Sequence, residues 1–382
     1  MSDPPIGKRK GRIRTADITK GIAIVGVVAL HFAILQAHGT VSSNGITLTS
    51  FKAFPYSLMA MFIVISGYFF VPGRSFVENM RKRILRFSLW LAGAIIVLNT
   101  AMYLILLAQG YDLEPSQLWE VIWKSLVGKG AFTDIRDDMT YGAAILAPFE
   151  VTHALYFLQL MIVGYVILYA IADFVVNDDR KILISAFLLI TVSAVYVETV
   201  GILLPFYAHM GPMAAGFLLI GVYLSRKDFY GWLENGPEDR KYWIIFFVCL
   251  AVGLLLCLVT PRDVSMMSCN FGDYGVLSFY TFTVQSLAAG IAISFILSWL
   301  ARFDVVYNSL GKVGEYCIWV YVLHMFVGRC FVAPFVTFDT ESWFPLTTLQ
   351  GIGLTLVTVA LITVLAHVFY THRMRKLSSG QP

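Results

Sequence analysis

Residues 17–31 read Asp-Ile-Thr-Lys-Gly-Ile-Ala-Ile-Val-Gly-Val-Val-Ala-Leu-His, with ten uncharged residues between Lys20 and His31. The eleven-residue separation of these two side chains is about three turns of an α-helix, with ~16 Å of rise and an angular offset of ~20°. Both side chains therefore share one face of a predicted helix. An ionisable group within such an apolar segment is expensive in lipid and is a candidate functional residue.

The rest of the chain has the same apolar character. Of its 382 residues, 58% are hydrophobic and 14% are charged, and the mean hydropathy is +0.73. A soluble domain carries roughly 25% charged residues, so a water-soluble enzyme of this size is excluded. A membrane-spanning helix needs about 20 mainly apolar residues and satisfies its own backbone hydrogen bonds. The sequence therefore predicts an all-α, polytopic transmembrane helix bundle with about ten spans.

The predicted spans follow the gaps between charged residues. They centre on residues 18–37, 51–71, 85–107, 153–175, 182–200, 203–224, 242–260, 277–300, 314–337 and 344–370. We expect one transmembrane domain over residues 18–370. It is flanked by a basic cytoplasmic tail at 1–17 and a cytoplasmic tail at 371–382.

Lysine and arginine are distributed unevenly between the connecting segments. With a cytoplasmic N-terminus, 22 of the 28 lie inside and six lie outside. This bias predicts a multi-pass protein of the cell (plasma) membrane with both termini cytoplasmic. The longest connection, about 109–152, is then outside. Apolar residues at helical spacing after Pro115 predict an amphipathic helix there, either as an interfacial anchor or as a contact for an acceptor.

Several function classes lose support. The chain has no Walker A loop, GxGxxG, HExxH or GxSxG motif, which disfavours ATP-driven pumps and the common hydrolases and dinucleotide enzymes. Its five cysteines form neither a disulfide framework nor a CxxC metal pair. The net charge of +4 is distributed by topology and forms no nucleic-acid patch. We therefore expect no metal and no nucleic-acid partner.

A second histidine is predicted at the depth of His31. His324 lies about ten residues after Gly314 in the ninth predicted helix, a rise of ~15 Å. Histidine titrates near neutrality and exchanges protons, as a catalytic base must. The alternative is a neutral histidine that bonds to a neighbouring helix.

A basic stretch leads into the third predicted helix. Arg83 and Lys82 precede Arg86 by three and four positions, so in an α-helix the three side chains converge on one face. Guanidinium groups suit phosphates. The alternative is a positive-inside anchor, which has the same composition.

Together these residues resemble the acyltransferase 3 family of integral membrane acyltransferases. Lys20 and His31, with ten residues between them, are similar to the Arg/Lys-to-His signature of that family. Ser66-Gly67-Tyr68 resembles its Ser-Gly-Phe segment, and Arg83 and Arg86 resemble its Arg-x-x-Arg motif.

Two later segments continue the resemblance in the same order. Residues 153–158 resemble a His-Leu-Trp-Phe-Leu pattern, and residues 311–324 resemble a Gly-x-x-Ser-Tyr-x-x-Tyr-x-x-His element. The departures are Tyr68 for Phe, Ala154 and Tyr156 for Leu and Trp, and Glu315 for Ser. They leave the subfamily and the acceptor open.

The resemblance implies an acyl-CoA-dependent O-acyltransferase. It would transfer an acyl group, commonly acetyl, from cytoplasmic acetyl-CoA or another acyl-CoA to a hydroxyl of an extracytoplasmic sugar. The acceptor would be a cell-envelope glycan or a lipid-linked sugar, as in polysaccharide O-acetylation. His31 would be either the base or the acyl carrier. Lys20 would order the inner mouth, with Asp17 as its partner.

The resemblance also assigns binding residues. Arg83 and Arg86, with Lys82, would hold the nucleotide phosphates of coenzyme A. The candidates for substrate binding are His153, His324, Tyr68 and Ser66. His153 would otherwise sit at the membrane interface.

Two further polar residues lie within predicted spans. Arg329 interrupts the ninth span, and we expect it either to snorkel to the outer surface or to meet an acidic partner such as Asp339. His209, beside Gly211-Pro212, is expected to bond a freed backbone carbonyl.

The competing hypothesis is a carrier that exports a sugar or an acylated metabolite without chemistry. A polar stripe of Lys20, His31 and His38 would line its path, and Gly211-Pro212 would supply a broken helix. Such carriers commonly have a paired interruption in a second half, and the sequence has no counterpart. An assembly subunit in contact with membrane lipid is the last alternative, because it explains none of the buried polar residues.

Overall fold

The computed structural model describes residues 12–29, 31, 53–71, 75–134, 147–236, 239–259, 274–332 and 348–378. All regular structure in these ranges is helical, and their one β-type pairing is a single bridge between Asp134 and Ile202. The predicted all-α class is confirmed.

The helices are numbered in chain order. Those of the first half are α1 (Arg14–Ala29), α2 (Ala53–Tyr68), α3 (Phe76–Asn79), α4 (Arg86–Ala108), α5 (Pro115–Val127), α6 (Tyr156–Val175) and α7 (Asp179–Thr199). Those of the second half are α8 (Gly211–Arg226), α9 (Phe229–Asn235), α10 (Arg240–Val259), α11 (Val276–Leu300), α12 (Asp304–Val306), α13 (Lys312–Glu315), α14 (Cys317–Val332) and α15 (Thr348–Ser378). Turns of other geometry join them: π-helical at Met80–Leu85 and Tyr307–Gly311, and 3₁₀ at His153–Leu155 and Pro205–Met210.

Seven helical segments in the described residues are long and apolar enough to cross a membrane. They are Phe76–Ala108, His153–Val175, Asp179–Thr199, Pro205–Arg226, Arg240–Cys257, Val276–Leu300 and Gly353–His372. Each overlaps a predicted span. The other three predicted spans correspond to α1, α2 and α14, whose described parts are shorter. Residues 32–52 and 333–347, which adjoin these helices, lie outside the described ranges.

α1 and α13 approach so closely that only glycine fits between them. A Cβ atom on Gly314 would lie 1.9 Å from the carbonyl oxygen of Asp17, and one on Gly21 would lie 2.2 Å from that of Leu310. Lipid supplies little hydrophobic drive between helices, so small residues that permit close backbone packing hold them together. This contact sets α1 beside the segment that leads into α14.

A second close contact joins α2 to α8. A Cβ atom on Gly67 would lie 2.0 Å from the carbonyl oxygen of Leu218, and one on Gly221 would lie 2.0 Å from that of Val64. α8 packs in turn against α6 and α7, while α2 also contacts α1 and α11. The centre of the bundle is therefore built around α2 and α8.

The helix interruption predicted at Gly211-Pro212 lies earlier in the chain. The irregular backbone is at Phe206 and Tyr207, whose φ angles are 57° and 54°. Pro212 lies in the first turn of α8, where the missing N–H of proline would have no helical partner. The prediction of a break at Gly211-Pro212 is therefore wrong.

The amphipathic helix predicted in the long connection is present as α5. Val121 and Ile122 are buried against the bundle, whereas Trp119 and Trp123 are exposed on the opposite side. Tryptophan is typical of membrane interfaces. α5 therefore packs on the protein by one face and presents indole rings on the other.

We expect Gly314→Ala to destabilise the protein by about 1–3 kcal/mol, because the new methyl group meets backbone atoms that cannot move independently. The control is Gly93→Ala on α4, where a Cβ atom would meet nothing within 4 Å. Thermal unfolding of the detergent-purified variants measures both. Equal unfolding midpoints for the two variants would contradict the close contact between α1 and α13.

Candidate active site

Three histidines from three separate parts of the chain meet inside the protein. The ring centroid of His31 lies 5.1 Å from that of His324 and 5.3 Å from that of His153. His31 follows α1, His153 opens the turn before α6, and His324 lies in α14. The expected proximity of His31 and His324 is observed, and His153 completes what we call the histidine cluster.

The protonation of His324 follows from its neighbour. Its Nδ1 atom lies 2.6 Å from the carbonyl oxygen of Tyr321. A carbonyl oxygen only accepts hydrogen bonds, so Nδ1 carries the proton, and the Nε2 atom of the neutral ring holds the lone pair. Among the described residues, no group of three His, Cys, Asp or Glu side chains has an arrangement that could hold a metal ion. An imidazole ring of this kind can accept a proton at one nitrogen and donate one from the other.

Buried hydrogen bonds fix the backbone that precedes His153. The Asn99 side chain accepts from the N–H of Val151 at 3.0 Å and donates to the hydroxyl of Thr152 at 2.7 Å. Gln159 donates to a backbone carbonyl at the end of α5, also at 2.7 Å. α4 and α5 are thereby tied to the start of α6, which positions the His153 ring.

A cavity of about 320 Å³ lies further along α6, within the range of about 300–1,000 Å³ typical of small-molecule sites. Its lining residues are Phe62, Ser66, Phe69, Phe70, Arg83, Ile84, Phe87, Leu158, Met161, Ile162, Tyr165, Tyr169 and Ile318. The lining residues on α6 run from Leu158 to Tyr169, a helix rise of ~16 Å. We call this the donor cavity.

One wall of the donor cavity carries polar groups. Arg83 donates from Nη1 to the hydroxyl of Tyr169 at 2.9 Å. Tyr169 stacks with Tyr165 at 5.9 Å between ring centroids, and the Ser66 hydroxyl, which donates to the carbonyl of Phe62 at 2.9 Å, lines the same cavity. A line of donors and acceptors therefore crosses an otherwise apolar cavity, as a long ligand with alternating polar and apolar groups requires.

Aromatic contacts connect the donor cavity to the histidine cluster. Phe62 lines the cavity and lies 6.1 Å from Phe157 between ring centroids. Phe157 lies 5.8 Å from Tyr321, which lies 5.8 Å from His324. A continuous series of ring contacts therefore joins the two parts of the site.

A family model described as an acyltransferase domain matches residues 13–367. The chain belongs to the acyltransferase 3 family. The match runs from the start of α1 into α15, so it includes the whole histidine cluster and donor cavity. A search of curated proteins finds no match. The family and the apolar helices together make the protein an integral membrane acyltransferase.

Of the three predicted phosphate-binding cations of this acyltransferase, Arg83 is the one that lines the donor cavity. Lys82 is exposed and pairs with Glu78 at 2.9 Å, and Arg86 is also exposed. The reason is local, because the π-helical turn Met80–Leu85 is wider than an α-helical turn and changes the angles between side chains. The expected convergence of all three on one face is not observed.

An ion network lies at the start of α1. Asp17 accepts from Lys20 at 2.9 Å, which confirms the predicted pair, and from Arg12 at 2.5 Å. The Lys20 ammonium lies 5.2 Å from the centroid of the Phe69 ring, which lines the donor cavity. Lys20 therefore lies beside one end of the cavity, held there by Asp17.

Glu315, which replaces the serine usual in the family, belongs to the same network. It accepts from Arg12 and from Lys312, each at 3.0 Å. Burial lowers the pKa of the Arg12 guanidinium, but hydrogen bonds to Asp17 and Glu315 raise it by more, so the pKa lies above its ordinary value. Glu315 therefore ties α13 to the start of α1, in support of the glycine contact.

Tyr68 lies outside the donor cavity. Its buried ring packs edge-on against Tyr230 at 4.8 Å between centroids. The neighbouring Ser66 does line the cavity, and Gly67 makes the contact with α8. The structure therefore places two members of this motif in packing positions, and substrate binding by Tyr68 stays a prediction.

Arg329 is fully buried and does not snorkel. It donates to the carbonyl of Pro148 and interacts electrostatically with Glu150. Glu150 also pairs with Lys129, at 2.5 Å. The snorkelling prediction is wrong. Glu150 is an acidic neighbour among the described residues, and Asp339 lies outside them.

His209 does bond the backbone near the start of α8, but to a donor. Its Nδ1 atom accepts from the N–H of Leu204 at 3.1 Å. The predicted bond to a freed carbonyl stays a prediction. The backbone turn at Phe206 and Tyr207 leaves an amide that needs an acceptor, and His209 supplies it.

Sequence reasoning missed Tyr165 and Tyr169. A signal was available, because Leu158, Ile162, Tyr165 and Tyr169 recur at three- and four-residue spacing and so share one helix face. A stripe of this kind indicates ordinary packing more often than a binding site.

We expect Asp17→Asn to destabilise the protein by about 1–3 kcal/mol, because it removes the charged acceptor of two cations. The matched control is Glu78→Gln. Asp17 and Glu78 each accept from a lysine at 2.9 Å, but their side chains are 9% and 38% exposed. An exposed pair contributes about 0–1 kcal/mol, so the control should unfold close to the wild-type temperature. A loss no larger than that of the control would contradict the structural importance of the network.

Proposed function

We propose that the acyltransferase moves an acyl group, acetyl in the first instance, from cytoplasmic acyl-CoA to a hydroxyl of an extracytoplasmic sugar or glycan. One arrangement carries the proposal. A cavity with a guanidinium group in its wall leads through aromatic side chains to three clustered histidines. Such a site accepts a long donor from one side and exchanges protons at its far end.

The donor cavity suits the phosphates and the pantetheine arm of coenzyme A. Its phosphates would bind Arg83, with Arg86 and Lys82 at the exposed approach, because guanidinium and ammonium groups suit phosphate oxygens. Its pantetheine arm would enter the cavity, with its amides bonded to Ser66 and the two tyrosines of the polar wall. The nucleotide then stays at the membrane surface and only the narrow arm enters.

The thioester would reach the histidine cluster when Phe62 and Phe157 rotate aside. In one route His31 takes the proton of the acceptor hydroxyl as its oxygen attacks the thioester carbonyl. In the other route His31 accepts the acyl group and then passes it to the acceptor. In both routes the C–S bond breaks and coenzyme A leaves as the thiol. In the base route the thiolate takes up the acceptor's proton from His31. In the acyl-carrier route it takes up the N–H proton of the acylated imidazole, and the acceptor hydroxyl returns a proton to His31 when it receives the acyl group. The Nε2 atom of His324 is a second proton acceptor beside His31.

The acceptor would approach from the opposite side, past His153 and the predicted outer connection. A cell-envelope polysaccharide or a lipid-linked sugar at the plasma membrane presents hydroxyls there. The exposed Trp119 and Trp123 of α5 would hold this side of the protein at the lipid interface.

A carrier without chemistry is the alternative. It would use the same polar residues as a permeation path. The observation against it is the position of Pro212, which lies in the first turn of α8 and not at the predicted helix break. Uptake of a sugar into liposomes without transfer of label would favour the carrier.

We expect His31→Ala to lower the rate at which label passes from radiolabelled acetyl-CoA to envelope glycan by about 10²-fold or more, because general acid–base catalysis contributes that much. The matched control is His372→Ala, an exposed histidine on α15, which should transfer at the wild-type rate. Both proteins are purified and their thermal unfolding compared.

Two readouts separate the chemical routes. Label that stays on the acid-precipitated wild-type protein indicates acyl transfer to His31, and label that appears on glycan alone indicates the base route. Wild-type levels of acetylated glycan with a folded His31→Ala protein would refute the role of His31.

A further inference from the structure

One buried tyrosine, which the proposed chemistry does not use, bonds to the segments that carry two of the three histidines. Tyr321 lies in α14, three residues before His324, and is 4% exposed. Its hydroxyl donates a hydrogen bond to the carbonyl of Ala154, the residue after His153. Its backbone carbonyl accepts from the Nδ1 atom of His324 at 2.6 Å. Tyr321 therefore connects α14 to the turn before α6.

The bond to Ala154 acts on the short turn that presents His153. Residues His153–Leu155 form a single 3₁₀ turn, and the hydrogen bonds of a 3₁₀ turn have poorer geometry than those of an α-helix. A buried carbonyl also needs a donor, because leaving it without one is costly. The Tyr321 hydroxyl is such a donor, and it restrains the backbone on the C-terminal side of His153.

A different helix restrains the other side of His153. Asn99 on α4 holds the backbone of residues 151–152 through the two hydrogen bonds described above. Tyr321 reaches the turn from α14, the helix that also carries His324. The position of the His153 ring relative to His324 is therefore restrained by a direct bond between their two segments.

The ring of Tyr321 makes contacts that do not involve its hydroxyl. Its centroid lies 5.8 Å from that of Phe157 and 5.8 Å from that of His324. Phenylalanine at this position keeps the ring and the backbone carbonyl and removes only the hydroxyl. The substitution Tyr321→Phe therefore isolates the bond to Ala154.

We propose that Tyr321 is a positioning residue for acyl transfer, whose hydroxyl holds His153 beside His31. This inference rests on the proposed function and holds for both of its routes. The ring of His31 contacts those of His153 and His324 at 5.3 and 5.1 Å between centroids, so a shift of the turn moves one of the two rings that His31 packs against. Proton transfer needs heavy atoms about 2.6–3.2 Å apart, and a misplacement of about 1 Å can cost 10²-fold in rate.

The first test is the rate of acetyl transfer by the purified full-length Tyr321→Phe protein. We expect kcat to fall roughly tenfold or more. The KM for acetyl-CoA should stay unchanged, because Tyr321 lies outside the lining of the donor cavity. Replacing Tyr321 by para-aminophenylalanine, which keeps a donor at the end of the ring, should restore kcat. A wild-type kcat in Tyr321→Phe would overturn the proposal.

The matched control is Tyr242→Phe. Tyr242 is 3% exposed, and its hydroxyl donates to the carbonyl of Phe295 at 3.3 Å and lies 2.8 Å from the hydroxyl of Ser298. This control removes a buried hydroxyl between α10 and α11 and should keep the wild-type kcat. If both variants lose kcat equally at equal thermal stability, the loss reflects a general structural effect and overturns the proposal.

A double variant tests whether Tyr321 acts through His153. In a His153→Ala background, Tyr321→Phe should change kcat by less than about twofold, because two residues that act as a unit are not additive. An additive loss in the double variant would show that the hydroxyl acts elsewhere and would overturn the proposal.

Hydrogen exchange measures the anchor without any reaction. In lipid nanodiscs, amides of the turn His153–Leu155 should exchange roughly tenfold faster in Tyr321→Phe than in the wild-type protein, as the loss of one hydrogen bond implies, and should be unchanged in Tyr242→Phe. Equal exchange in all three proteins would overturn the proposal. A wild-type protein that transfers no label would instead refute the proposed function, whatever the exchange of the turn.

Discussion

The backbone contact between α1 and α13 positions the rest of the site. Gly21 and Gly314 leave no space for a side chain, so α1 lies against the segment that begins α14. Lys20 then lies near the start of α14, and His31, just beyond the end of α1, meets His324 further along α14. Because lipid gives helices little reason to associate, this tight backbone fit and the ion network beside it hold α1 against α13.

The candidate site is assembled from several separate helices. Ser66 and His324 lie in α2 and α14, His31 lies just beyond α1, and His153 opens the turn before α6. Of the seven long apolar segments in the described residues, those that contain α6, α8 and α11 are mainly buried, whereas those that contain α7, α10 and α15 are mainly exposed. Ionisable side chains are costly at membrane depth, and here they lie among the buried helices of the bundle.

Local periodicity made part of this site predictable. Each successful prediction used the residue spacing within one helix. These are the shared face of Lys20 and His31, the pair of Asp17 with Lys20, and the amphipathic helix α5. Prediction failed where distant segments meet or where the helix changes type. The π-helical turn Met80–Leu85 moves Arg86 away from Arg83, and the burial of Arg329 depends on a loop that no periodic pattern connects to α14.

The most direct test is a cryo-EM structure of the protein in lipid nanodiscs with a non-hydrolysable thioether analogue of acetyl-CoA. The account predicts the pantetheine arm in the donor cavity, beside Ser66 and Arg83. It also predicts the reactive carbonyl carbon within about 3–3.5 Å of an imidazole nitrogen of the histidine cluster. An analogue bound with its arm outside this cavity, or with its carbonyl remote from all three histidines, would contradict the account.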